Sequence, residues 1–236
     1  MFNKILIAAA AFSAIGLTAA PAMADAITLD ASKIGATTTL NYNGFSDGTT
    51  IAGLTGSTAF TLTGISGNDY NFNYSVSNTS SAPITASRIS SFAFNTNPDI
   101  ASATSTGAFA YTTLNSSYPN GIGAIDVCFK DASTKSCAGG GSGGLTQGQT
   151  GTGTFTLSFS NPISSLTLSD FYVRYQSLTG AGNFTSASGA GSLTSTGGTS
   201  VPEPGMLGLL SLGLIGTALL RRRRRQPAQA PRTAFA

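Results

Sequence analysis

Tyr70-Asn71-Phe72-Asn73-Tyr74-Ser75-Val76 alternates without a break between large apolar or aromatic side chains and small polar ones. Successive side chains of an extended strand point to opposite faces. A period of two therefore predicts a half-buried strand with Tyr70, Phe72, Tyr74 and Val76 on one face. Thr154-Phe155-Thr156-Leu157-Ser158-Phe159 repeats the pattern, with Phe155, Leu157 and Phe159 inward. Outward from these two stretches, further strands are expected at Thr37–Tyr42, Thr58–Leu62, Ile84–Phe94, Ala108–Leu114, Ala124–Lys130 and Ser165–Tyr175, with a short last one at Asn183–Thr185. Turn signals separate them: Asn43-Gly44, Asp47-Gly48, Gly67-Asn68, Asn97-Pro98, Asn120-Gly121 and Asn161-Pro162. Helix signals are absent from this part. About eight or nine strands joined by turns predict an all-β domain over residues 25–185, an antiparallel β-sandwich or jelly roll.

The flanks of this domain are of a different kind. Met1–Ala24 reads as a secretory signal peptide: Lys4 gives the charged start, Ile5–Ala20 the apolar stretch and Ala22-Met23-Ala24 the small-residue cleavage pattern. Cleavage is expected between Ala24 and Asp25. The Gly/Ser/Thr tract 186–200 reads as a flexible linker. Then come Val201-Pro202-Glu203-Pro204, an uncharged Gly/Leu-rich run Gly205–Leu220, and Arg221, Arg222, Arg223, Arg224 and Arg225. Both prolines favour extended backbone. Gly205–Leu220 as a helix would be about 24 Å long, short for a ~30 Å hydrocarbon core but able to span if arginines snorkel. The arginines act as a stop-transfer flank and stay cytoplasmic, which places 226–236 in a cytoplasmic tail and the β domain outside.

Proline-glutamate-proline, a short apolar helix and an arginine cluster, in that order near the chain end, resemble the PEP-CTERM sorting signal of Gram-negative bacteria. The resemblance implies recognition by an exosortase, cleavage near Pro202–Pro204, and passage from an inner-membrane intermediate to the cell surface or extracellular matrix, where such proteins are associated with exopolysaccharide and biofilm. The tail Gln226–Ala236 is longer than that pattern usually carries, which keeps a permanent single-pass anchor as the alternative. Within the β domain, Asp126-Val127-Cys128-Phe129, Cys137 with the glycine run after it, and Phe171–Ser177 are similar to the cistern group of such proteins, a likeness that implies no particular activity.

Charge narrows the function further. The chain carries a formal +3, yet seven of its bases lie in or beyond the targeting segments. Residues 25–200 hold five bases against eight aspartates, a net −3 without a basic stripe. The positive overall charge therefore does not indicate nucleic-acid binding, and no nucleic-acid partner is expected. The absence of histidine excludes histidine-based triads and general bases. A glycosidase pair would have to come from aspartates, several of which sit beside Gly, Asn or Pro as turn residues do. Asp69, Asn71 and Asn73 match the start of a calcium loop, but Tyr74 replaces the glycine and no glutamate closes it, so a strand face is the better reading. No metal site, cofactor or enzyme activity is expected.

Cys128 and Cys137 are an even, closely spaced pair in an exported chain and are expected to form a disulfide. Gly139–Gly144 lacks the Lys-Ser/Thr of a phosphate-binding loop and reads as a flexible loop tied at one end by that bond. Tyr42, Tyr111, Tyr118 and Tyr175, if exposed, would offer a sugar-stacking face and make the domain a polysaccharide-binding module.

Overall fold

The structure is a computed structural model and describes residues 25–194. Apart from 3₁₀ turns at Ala31–Lys33 and Gly107–Phe109, the regular elements in these residues are strands. They are β1 Ile27–Leu29, β2 Thr37–Ser46, β3 Thr49–Ser66, β4 Asp69–Asn78, β5 Ala86–Asn97, β6 Ser102–Ser105, β7 Tyr111–Tyr118, β8 Gly123–Lys130, β9 Leu145–Thr146, β10 Thr150–Ser158, β11 Leu166–Thr179 and β12 Ser186–Leu193. Each ladder is antiparallel.

The all-β, antiparallel expectation holds; the sandwich or jelly roll of eight or nine strands does not. The strands form one 12-stranded sheet in the order β6-β10-β4-β3-β2-β12-β11-β5-β8-β7, with β1 on β11 and β9 on β5. The two ends of this path approach each other, where Thr112 Oγ1 donates to the Ala103 carbonyl over 3.1 Å. The sheet is thus a nearly closed barrel. Alternation could not tell these folds apart. A strand with one buried face reads the same whether it packs on a second sheet or on the far wall of its own.

The two diagnostic stretches are neighbours. β4 and β10 pair with Phe72 opposite Phe155 and Tyr70 opposite Leu157. The two phenylalanine rings stack at 4.6 Å and 19°. Phe159, just past β10, is buried against Tyr70 with ring centroids 5.8 Å apart. Phe60 of β3 meets Phe155 edge-on at 5.7 Å, and Phe92 of β5 stacks on Phe129 of β8 at 4.8 Å. Rings from strands spread around the sheet therefore meet inside it. Tertiary contacts of this kind, each worth about 0.5–1.5 kcal/mol beyond area burial, close the barrel.

Hairpins follow the expected turn chemistry at Asp47-Gly48 and Asn120-Gly121, where both residues have positive φ. Asn43-Gly44 is not a turn; it lies inside β2, beside a register shift between Asn43 and Phe45.

The linker expected at 186–200 is the largest correction to the domain plan. Ser186–Leu193 is β12, a central strand paired to β11 and β2, and the compact unit runs to Thr194. The strand expected at Asn183–Thr185 is absent; those residues form the turn and bend that lead into β12. The small residues are there for space rather than flexibility. A Cβ at Gly189 would sit 2.9 Å from both Tyr175 Cε2 and Val173 Cγ2, and one at Gly191 would sit 2.8 Å from Tyr42 Cε1.

Candidate functional site

Of the residues expected at the processing sites and the disulfide, Asp25, Cys128 and Cys137 lie among the described residues. Ala24, Val201–Pro204 and Arg221–Arg225 lie outside them. The helix expected at 205–220 lies outside as well; among the described residues no helix is long and apolar enough to cross a membrane. Asp25 sits at the end of the last strand, where its Oδ2 accepts from the Leu193 N–H over 2.5 Å.

The most polar feature of the barrel lies on its outer face, beneath the loop from Asp131 to Gly144. Arg88 on β5 is only 6% exposed. Its guanidinium donates to Asp131 (3.2 Å), to the Gly143 carbonyl (2.7 Å), to the Gly140 carbonyl and to Gln176 Oε1. Its Nε donates to Ser177 Oγ over 3.1 Å. Asp131 in turn accepts from the Gly140 N–H over 2.7 Å. Ser90 Oγ donates to the Ala138 carbonyl over 2.7 Å. The glycine run is thus wrapped around a buried ion pair, which corrects the expectation of a flexible loop.

Two further cations are buried in the same region. Lys130, at 1% exposure, donates to Thr113 Oγ1 and the Thr134 carbonyl. Arg174, at 8%, donates through Nη2 to Ser186 Oγ over 2.7 Å, while its Nε and Nη1 have no partner among the described residues. Burial pulls the Arg174 guanidinium below its usual range. Three of the five bases of the β domain are therefore buried, and the only ion pair among the described residues is Arg88–Asp131. Sequence reading missed this set. Its one signal was that Arg88 and Arg174 fall within strand-forming stretches rather than in turns.

The disulfide is corrected too. Cys128 and Cys137 are both free and fully buried. The Cys128 sulfur lies 3.6 Å from the Cys137 carbonyl oxygen, which also accepts from Ser91 Oγ. Both side chains belong to a small apolar cluster with Tyr118, Ala93 and Ile125. Burial pushes the Cys128 thiol well up, whereas hydrogen bonding from Cys128 holds Cys137 below the usual thiol range.

The remaining candidates are mostly structural. Asp30 caps the first 3₁₀ turn through Ser32 N–H at 2.8 Å, Asp126 accepts from the Thr96 N–H at 2.8 Å, and Asp170 accepts from Asn95 Nδ2 at 3.0 Å. Asp69, Asn71 and Asn73 belong to β4, and Asn71 Oδ1 accepts from Thr156 Oγ1 at 2.8 Å. No group of three or more His, Cys, Asp or Glu is placed to hold a metal ion among the described residues. Of the four tyrosines considered for sugar stacking, Tyr42 and Tyr175 are buried in the barrel core and Tyr118 in the cysteine cluster; Tyr111, at 46%, is exposed.

Residues 200–225 match the family model of the PEP-CTERM protein-sorting motif. The chain carries a PEP-CTERM sorting signal. The match takes in the Pro-Glu-Pro residues, the apolar run and all five arginines, the same three parts read from the sequence. A PEP-CTERM signal means membrane association, processing by an exosortase-type enzyme, and export to the cell surface or extracellular space. No curated protein and no solved structure matches the chain.

Proposed function

We propose that this chain is an exported, non-enzymatic barrel domain delivered by its sorting signal to the cell surface or extracellular matrix, in association with exopolysaccharide. The match of residues 200–225 carries the reading. The signal peptide starts export, and Gly205–Leu220 with Arg221–Arg225 halts it in the membrane. The exosortase then cuts near Pro202–Pro204, and the barrel leaves without its arginine tail.

The domain supports a structural role through what its polar groups do. Its buried cations and most of its carboxylates hold loops, caps and strand ends. Its exposed surface is nearly uncharged and rich in Ser and Thr, with exposed bases at Lys33 and Lys135. Such a surface suits a hydrated polysaccharide matrix better than a charged partner.

Replacing Pro202, Glu203 and Pro204 together by alanine tests the delivery step. The variant should still insert in the membrane of exosortase-containing cells but remain there, while the wild-type domain appears outside. Release of the triple variant at the wild-type level would contradict the reading. Retention of both would favour the permanent anchor.

A further inference from the structure

The fold leaves little chain between the barrel and the sorting signal. β12 pairs with β11 over Ser186–Ala190 and with β2 over Ser188–Leu193. Gly191–Leu193 therefore have a strand on one side only. On the open side the Leu193 N–H donates to the Asp25 carboxylate over 2.5 Å. On the β2 side the Thr194 N–H donates to the Thr39 carbonyl over 3.0 Å, and Asn41 Nδ2 donates to Thr194 Oγ1 over 3.0 Å. Asp25 thus takes the place of a missing neighbour strand, and the chain is pinned as far as Thr194.

Seven residues, 195–201, then separate Thr194 from Pro202. Fully extended, they carry Pro202 at most about 28 Å from Thr194, about half of what a free chain from Ser186 would reach. A peptide cleft reads an extended segment and needs chain clear of folded protein on both sides of the cut bond. A tether below the required span drives the effective concentration of the joined partner towards zero, whereas excess length lowers it only gradually.

We propose that the fold meters exosortase access: Asp25 and the β2 edge fix the exit of the chain at Thr194, and the length of residues 195–201 sets the rate of cleavage near Pro202–Pro204. Asp25 is a positioning residue for a reaction it does not touch. This inference rests on the sorting reading above.

The test follows cleavage of the full chain in exosortase-containing cells by pulse-chase and carboxy-terminal mass spectrometry. Deleting Thr196–Thr199 should slow cleavage at least about tenfold, because the tether no longer spans. Restoring the four positions as Gly-Ser-Gly-Ser should return the wild-type rate, since length and not sequence matters. In the deletion background, Asp25→Ala should raise the rate several-fold by freeing Leu193, and Asp25→Asn, which keeps an acceptor oxygen, should not. Thermal melting of each exported domain checks that the barrel remains folded.

Wild-type cleavage with an indifferent deletion variant would overturn this inference alone, as would failure of the Gly-Ser replacement to rescue. No effect of Asp25→Ala would remove Asp25 from it. An uncleaved wild-type chain would overturn the sorting reading itself.

Discussion

The inner face of the barrel and the outer layer beneath the Asp131–Gly144 loop are both buried, but different physics holds them. Inside, Phe155 alone has ring centroids within 6.2 Å of Phe60, Phe72, Tyr74, Phe92, Phe94 and Phe129. These contacts are redundant, non-directional and free of polar debt. Outside, the loop is held by directed bonds that converge on one ion pair, Arg88–Asp131. Charges taken out of water cost several kcal/mol each unless well paired. The lesson is that the interior sets stability, while the outer layer sets the conformation of one loop and is vulnerable at single atoms.

The sharpest test of that contrast is Phe155→Ala. It removes a ring at the centre of the aromatic cluster and should lower unfolding stability by about 3–5 kcal/mol, towards the upper end because the rigid barrel cannot collapse into the gap. Urea denaturation of the exported protein measures it. A loss below about 1 kcal/mol would show that the ring does not close the barrel.

Asp131→Ala should come next, at about 3 kcal/mol, because it leaves Arg88 buried without its carboxylate. Unlike the Phe155 change, it should also expose the Gly139–Gly144 amides to hydrogen exchange while leaving β4 and β10 protected. Uniform loss of protection would mean that the two regions are not separable.

Alkaline titration addresses both regions together. Burial raises the ionisation of Tyr42 and Tyr175 inside the barrel and of Tyr118 in the outer layer above the ordinary value of 10.0. The folded state therefore holds protons that the unfolded chain releases. The stability these groups contribute is fully present below about pH 10, where both states are protonated, and is lost as pH rises from there through the raised values of the folded state. While a buried tyrosine stays protonated, each pH unit above that point removes about 1.4 kcal/mol. A melting temperature flat from about pH 9 to about pH 12 would contradict their burial.

The smallest expected effect is at Arg174. Two of its nitrogens have no partner among the described residues, so Arg174→Leu should change stability by no more than about 1 kcal/mol and could even raise it. A loss comparable with that of Asp131→Ala would show that the guanidinium is paired after all.

The same contrast explains what could be read from the chain. The inner face was legible because side-chain alternation is a local property: Tyr70–Val76 and Phe155–Phe159 announce their faces without knowledge of their partners. The count of strands and the closing of the sheet were not, since they depend on which strand meets which. β12 was missed because glycine and serine signal a linker in composition and a close approach in a packed wall, and only the facing Tyr42, Val173 and Tyr175 distinguish the two. The outer layer was illegible because Arg88 and Asp131 are 43 positions apart and neither forms a motif. The sorting signal needed no fold at all: its three parts are contiguous, and the family match covers the segment that the sequence had marked.

The central claim, that this chain is an exosortase-type substrate, is tested most directly by the mass of its mature carboxy terminus. The protein should be recovered from cells with and without an exosortase and its terminal peptide weighed. The account predicts a terminus near Pro202–Pro204 in the first case and retention of Arg221–Arg225 in the second. An intact arginine tail in both would contradict it and leave a permanently anchored barrel.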